Sequence, residues 1–230
     1  MLDVSLIANL PPFADIAKDA LQDLLKQAKP VRFNRNDYIF SAGEPADSFF
    51  LLLDGYIRVV RVTPDGEQVI ARYISAGELF GVAQALGRDT YPANAVAAAD
   101  CVVLRWPGDI WPEVISRSPT FATNTYHMVG ERLQDAQDRI VEMATERVEQ
   151  RVAHAIVKLA DQTGRKTDDG IVIDFPLSRQ DISEMTGTTL HTVSRLMSAW
   201  EQAGMVKSGR QKITVTEHDR LVTLANHPKE

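Results

Sequence analysis

The sequence predicts an α+β protein: an N-terminal antiparallel jelly-roll β-barrel, a long helix, and a C-terminal winged helix-turn-helix. Three observations carry this. Between residues 31 and 106, short β-branched and aromatic runs alternate with turn signals, and glycines 43, 55, 66 and 77 fall 12, 11 and 11 residues apart, as regular turns do in an antiparallel sandwich or barrel. From Ala122 to Met143, apolar residues recur at intervals of 4, 3, 4, 3, 4 and 3, a heptad seam. From Ser178 to Trp200, two short helical patterns are broken at Gly187 and followed by a hairpin signal.

The chain has 230 residues, enough for one or two domains with their own cores. Expected boundaries are 1–117 for the barrel, 118–145 for the long helix and 146–230 for the winged helix-turn-helix. No apolar run approaches a membrane span, and no basic segment followed by a hydrophobic one opens the chain, so a cytoplasmic protein without a membrane partner is expected. The single cysteine, Cys101, fits a reducing compartment and excludes an iron–sulfur cluster held by several thiolates. Net charge is −6; residues 146–230 balance at 12 Lys/Arg and 12 Asp/Glu, so the acidic excess belongs entirely to residues 1–145. Phosphate contact needs a basic face rather than a basic domain, and Lys207, Arg210 and Lys212 supply a local one.

In chain order, residues 14–28 place Ile16, Ala20, Leu21, Leu24 and Leu25 on one helical face, and Pro30 ends the helix. The runs VRFNRNDYIF, SFFLLL, YIRVVRV, QVIARYI and CVVLRW are predicted strands. Residues 109–117 form a short helical segment. A helix from Pro119 to about Glu142 carries the seam Ala122, Tyr126, Val129, Leu133, Ala136, Ile140 and Met143, flanked by charges; so strict a 3.5 period predicts a homodimeric coiled coil. Residues 146–162 form another amphipathic helix, TGRKTDDG a polar loop and IVIDFPL a strand. KSGRQKITV is a hairpin turning at Gly209, a wing beside the helix pair.

In the helix pair, Ser178 is the N-cap with Asp181 three residues on. Ile182 and Met185, then Val193, Leu196, Met197 and Trp200, form the inner stripes, leaving Leu190, His191, Ser194 and Arg195 outward. In the 20-residue unit from Arg179, small Ser183 is fifth, Gly187 ninth and Val193 fifteenth. This is the design that lays a second helix in the DNA major groove.

The order of barrel, long helix and winged helix-turn-helix resembles the cyclic AMP receptor protein/FNR (CRP/FNR) family of bacterial transcription regulators, over nearly the whole chain. The strongest motif is LSRQDISEMTGTTLHTVSRLMSAWEQAGMV, followed by GRQKITV; the barrel stretch SAGEPADSFFLLLDGYIRVVRVTPDGEQVIARYISAGELFG resembles it too. The resemblance implies an effector-controlled homodimer bound to an inverted repeat of double-stranded DNA, contacting RNA polymerase if it is an activator. It places Arg195 as the reader of a guanine, where a bidentate contact discriminates by roughly 1–3 kcal/mol. His191 departs from the family, which usually has a Glu there. Ser194 matches the FNR-like branch, and the HTVSR string is similar to the nitric-oxide-responsive NnrR type. Thr192 belongs to the same reading face, and Arg179, Thr189, Lys207, Arg210 and Lys212 are candidate phosphate contacts.

The cyclic-nucleotide cassette departs from the family. Val82 stands where a Glu is expected and Pro92-Ala93 where Arg-Ser is expected, with Arg88 in a nearby loop. A phosphate buried without a cation is costly, so cyclic AMP binding is not expected. The remaining candidate sensor is haem. His127, at heptad position b, is its proposed iron ligand, Gly130 allows a flat group to approach, and Met128 is a softer alternative. The competing reading is a packed or exposed histidine. Histidines 154, 191, 218 and 227 lie in the C-terminal half. Another small effector, or an effector-independent architectural DNA binder, are the functional alternatives. An enzyme is not expected: residues 31–106 contain no histidine to build a metal cluster.

Overall fold

The computed structural model describes residues 3–226; His227 lies outside them. Contacts divide the chain into two compact units. One holds Arg72–Ala136 with the chain before Val62; the other holds Val62–Ala71 with the chain after Ala136. Among the described residues, no helix is long and apolar enough to cross a membrane.

The first unit opens with two short 3-10 turns and helix α1 (Lys18–Lys26). Strands β1 (Lys29–Phe33), β2 (Tyr38–Phe40), β3 (Ser48–Asp54), β4 (Ile57–Val62), β5 (Gln68–Ile74), β6 (Leu79–Phe80), β7 (Asn94–Ala97) and β8 (Cys101–Pro107) form two four-stranded sheets, ordered β1-β8-β3-β6 and β2-β7-β4-β5. Helices α2 (Trp111–Arg117) and α3 (Pro119–Thr145) follow; the part of α3 after Ala136, and the Val62–Ala71 stretch that joins β4 to β5, group with the second unit. The four evenly spaced glycines all turn the chain with positive φ, between 85° and 91°. At Gly55 no other residue fits, since a Cβ would lie 2.3 Å from the Asp100 carbonyl oxygen.

Within SFFLLL the five residues after Ser48 are all apolar because β3 is buried on both faces. Phe50 and Leu52 face the other sheet, in a core with Ile57, Ile74, Ala97 and Val103. Phe49 and Leu51 face outward beneath α1 and α3, in a second core with Phe13, Leu24, Trp106 and Phe121. There Trp106 stacks on Phe49 at 5.3 Å, Phe13 stacks on Phe121 at 5.7 Å, and the Trp106 indole donates to the Leu24 carbonyl at 2.8 Å. Burial on both faces thus ties β3 and β8 to the helices as well as to the second sheet.

Three expectations for this unit need correction. Residues 31–40 are not one strand but β1 and β2, in different sheets. The Asp37 carboxylate accepts from the Asn34 amide at 2.7 Å, and Asn36 takes φ 72°, a turn built from Asn and Asp. Strands β6 and β7 were not anticipated: β6 has two residues, and β7 is alanine-rich, a weak strand signal. Its Ala95 and Ala97 are fully buried between β2 and β4, where tertiary packing overrides propensity.

The second unit holds α4 (Val148–Thr163), the hairpin β9 (Gly164–Thr167) and β10 (Gly170–Ile173), α5 (Arg179–Thr186), α6 (Leu190–Gln202), the wing β11 (Val206–Gly209) and β12 (Lys212–Val215), and α7 (His218–Ala225). Its sheet is ordered β11-β12-β10-β9. The polar stretch GRKT, expected as loop, is β9, held by four register pairs to β10. Helix α7, also unanticipated, packs on α4 with Leu221 and Ala225 buried. In the wing the left-handed residue is Gln211 (φ 57°), not Gly209 as the hairpin signal suggested. Among the described residues His154 and His218 have structural partners: His154 reaches Glu146 at 3.0 Å, and His218 reaches Asp161 at 2.8 Å.

Candidate functional site

Local rules build the helix pair. Ser178 and Asp181 form a reciprocal capping box: the Ser178 amide donates to the Asp181 carboxylate at 2.8 Å, and the Asp181 amide donates to the Ser178 hydroxyl at 3.1 Å. Gly187 closes α5 in the left-handed conformation (φ 60°). Thr189 then caps α6, its hydroxyl accepting from the Thr192 amide at 3.1 Å. Its side chain therefore has a structural task beside any phosphate contact, and the Thr192 hydroxyl lies 3.0 Å from it.

Helix α6 buries Val193, Leu196, Met197 and Trp200, with Val193 and Met197 fully covered. The Trp200 indole donates to Glu149 of α4 at 3.3 Å, fixing the helix's rotation. What remains outward is the expected set: Leu190, His191 and Arg195 exposed, Ser194 and Thr192 half-exposed. Among the described residues Arg195 has no hydrogen-bond or ion-pair partner.

The basic residues divide. Arg210 and Lys212 stand exposed at the wing turn, without an ion pair among the described residues. Lys207 is exposed but pairs with Asp169 at 2.7 Å, and its ammonium holds the Asp169 carboxyl below the usual range. Arg179, a candidate phosphate contact, also has partners within the domain. Its guanidinium reaches Glu201 at the end of α6 (3.4 Å) and the Ser208 hydroxyl of β11 (3.1 Å). Glu201 also accepts from the Ser208 amide at 3.0 Å and from its hydroxyl. Arg179 and Glu201 thus tie α5 and α6 to the wing. Sequence reasoning missed Glu201, which reads as a solvated helix-end acid.

On the barrel side, the inward face of α3 is Phe121 and Thr125, both fully buried, with Met128 and Val129 packed on the core. One turn on, Arg132 donates to the Leu79 carbonyl. Its guanidinium lies 3.6 Å from Glu78, which also pairs with Arg72 at 2.6 Å and accepts from the Ser75 amide at 2.8 Å. Burial, helped by the Arg72 charge, pushes the Arg132 guanidinium down to about 10 against the pull of Glu78, so it stays charged at neutral pH. This cluster was not foreseen, because its members are remote in sequence and each reads alone as a surface charge.

The haem expectation does not fit this geometry. His127 is exposed, and a Cβ on Gly130 would meet nothing within 4 Å; both turn away from the barrel, because Phe121, Thr125 and Arg132 claim the inward side. Met128 is half-buried in the apolar core. Among the described residues no group of three or more His, Cys, Asp or Glu is placed to hold a metal. Cys101 is buried, donating to the Ala99 carbonyl at 3.0 Å, and burial pushes its thiol pKa up.

The Cyclic nucleotide-binding domain family matches residues 30–118, and the Crp-like helix-turn-helix domain family matches residues 150–224. The chain thus carries a cyclic nucleotide-binding-type domain followed by a Crp-like helix-turn-helix domain, the arrangement of CRP/FNR-type transcription regulators, to which it is similar. It is 24% identical over 211 residues to Electron transport regulator A of Shewanella oneidensis and to the Fumarate and nitrate reduction regulatory protein of Escherichia coli K12, covering 92% of this chain and 83% of each relative. The fold is similar to that of FixK2 from Bradyrhizobium japonicum, with TM-score 0.77 and 22% identity over 88% of this chain and 99% of that one. Electron transport regulator A and the Fumarate and nitrate reduction regulatory protein are regulators by name.

The first domain's family name implies a cyclic nucleotide, and the residues here do not fit its phosphate. Val82 and Ala93 are buried, Pro92 is exposed without a donor to offer, and Arg88 is exposed in its loop. The cations that do lie inward, Arg132 and Arg72, are bound to Glu78. Glu78 is the one carboxylate between these two guanidinium groups, so Glu78→Gln should lower unfolding free energy by about 1–2 kcal/mol. Urea unfolding checks this, and an unchanged midpoint contradicts it.

Proposed function

We propose that this regulator acts as a homodimer that inserts α6 into successive major grooves of an inverted repeat, under control of an effector acting on the barrel unit. The observation that carries the reading is the division of α6. Its inner face is packed, and its outer face presents Leu190, His191, Ser194 and Arg195, the last without a partner among the described residues, in the same unit as the exposed wing cations Arg210 and Lys212. Arg195 donates two hydrogen bonds to a guanine, Leu190 lies against a thymine methyl, and His191 and Ser194 tune neighbouring bases. Arg210, Lys212 and Lys207 position the domain through phosphates, with Lys207 exchanging Asp169 for DNA.

The dimer reading is supported by α3. Tyr126, Leu133 and Ile140, one heptad apart, are 58%, 59% and 68% exposed and form an apolar stripe along the helix; Val141, off this stripe, is exposed as well. Ala122, Val129, Ala136 and Met143 flank it. If the regulator is an activator, RNA polymerase is the further partner. A haem or nitric-oxide mechanism in the NnrR manner would rest on His127, which is exposed on α3 of the single chain.

Arg195→Ala should reduce discrimination at the contacted guanine by about 1–3 kcal/mol while leaving the dimer intact. Fluorescence anisotropy on an operator and its single-base variants measures this; a discrimination ratio equal to wild type contradicts it, and sequence-tolerant binding by the wild type would favour an architectural role. Leu133→Glu places like charges across the seam and should convert the dimer to monomer in sedimentation equilibrium. Wild-type association in that variant contradicts the seam.

A further inference from the structure

The barrel contains a cavity of about 260 Å³ at one end of the sandwich. The core between the sheets explains how it arises. Leu52, Ile57, Ala95, Ala97 and Val103 are fully buried there, whereas the inward residues of β1 and β2, Val31, Phe33, Ile39 and Phe40, are only half-buried. Those four line the cavity, together with Phe50 and Tyr91. Val82, Pro92 and Ala93 are not among its lining residues, although the adjacent Tyr91 is.

The walls are aromatic and ask for few hydrogen bonds. Phe40 stacks on Tyr91 at 3.8 Å and lies 5.8 Å from Phe50. The Tyr91 hydroxyl donates to the Ser48 carbonyl at 2.7 Å and accepts from the Ser48 amide at 3.3 Å. Burial holds that phenol up at about 12, so it is neutral and already committed.

The mouth is charged unequally. Arg105 and Asp47 pair at 3.4 Å, and the Arg105 Nε donates to the Ser48 hydroxyl at 2.8 Å. That pair cancels. Glu44 remains: one carboxylate oxygen accepts from the Ser41 amide at 3.0 Å, and the other has no donor among the described residues. An apolar chamber with a single uncompensated negative charge at its entrance selects by charge. A carboxylate ligand meets Glu44 and finds Arg105 engaged. A cation gains from Glu44 and from the negative faces of the rings.

We propose that this cavity binds a small organic ammonium, its aryl or alkyl body among Phe33, Phe40 and Phe50 and its charged end at Glu44. The volume lies below the roughly 300–1,000 Å³ of drug-sized pockets, which limits the ligand to a compact molecule. The site rests on the cavity and does not depend on how the DNA is read.

Isothermal titration calorimetry on the full chain tests it with three probes of one shape: 2-phenylethylammonium, neutral 2-phenylethanol and anionic phenylacetate. The expected result is saturable binding of the ammonium at one per chain, weaker binding of the alcohol and none of the acid. Glu44→Gln keeps an acceptor for the Ser41 amide, so the turn survives; it should weaken the ammonium about threefold to tenfold and leave the alcohol unchanged. Phe33→Leu should weaken both. The proposal is overturned if none of the three binds, if phenylacetate binds as well as the ammonium, or if Glu44→Gln leaves ammonium affinity intact.

Discussion

The reading face of α6 is decided by what its opposite face must bury. Val193, Met197 and Trp200 close the core of the second unit, and the Trp200–Glu149 hydrogen bond sets the rotation about the helix axis. The capping box at Ser178 and the left-handed turn at Gly187 set where the two helices begin and end. With rotation and position fixed, Leu190, His191, Ser194 and Arg195 have one direction left, which is outward. The Arg179–Glu201–Ser208 bridge extends the same rigidity to the wing, so Arg210 and Lys212 keep a constant offset from Arg195. Preorganisation of this kind limits the side-chain entropy lost on binding DNA.

Helix α3 is under a comparable constraint on three sides. Phe121, Thr125 and Arg132 face the barrel, the stripe Tyr126, Leu133 and Ile140 is left uncovered, and His127 falls on the remaining side, toward water. The Arg132–Glu78–Arg72 cluster places buried charge where the helix meets β6. Such a contact needs its geometry maintained, because removal of one member leaves another charge poorly compensated. At the far end of α3, Met143 lies beside Gly187, its sulfur 3.6 Å from where a Cβ would stand.

Much of this was legible because it rests on local rules. Ser178 with Asp181, the Gly187 break and the apolar spacing of α6 are sequence-neighbour properties, and α3 declared itself through its heptads. What was not legible depends on distant packing. The periodicity of α3 could not say which side meets the barrel, and that is why His127 and Gly130 were expected inward. Alanines in β7 and the polar GRKT of β9 become strands only because neighbours pair with them. Arg179 and Glu201 look like independent surface charges until the wing folds beside them. The half-burial of Phe33 and Phe40 that opens the cavity is likewise a property of how two sheets close.

The most direct test of the central claim is selection of bound sequences from random duplex DNA by the purified wild-type protein. The account predicts an enriched inverted repeat, with half-site centres about one helical turn (roughly 34 Å) apart and an invariant guanine in each half. Enrichment of a single unrepeated site, or of no sequence at all, would contradict it.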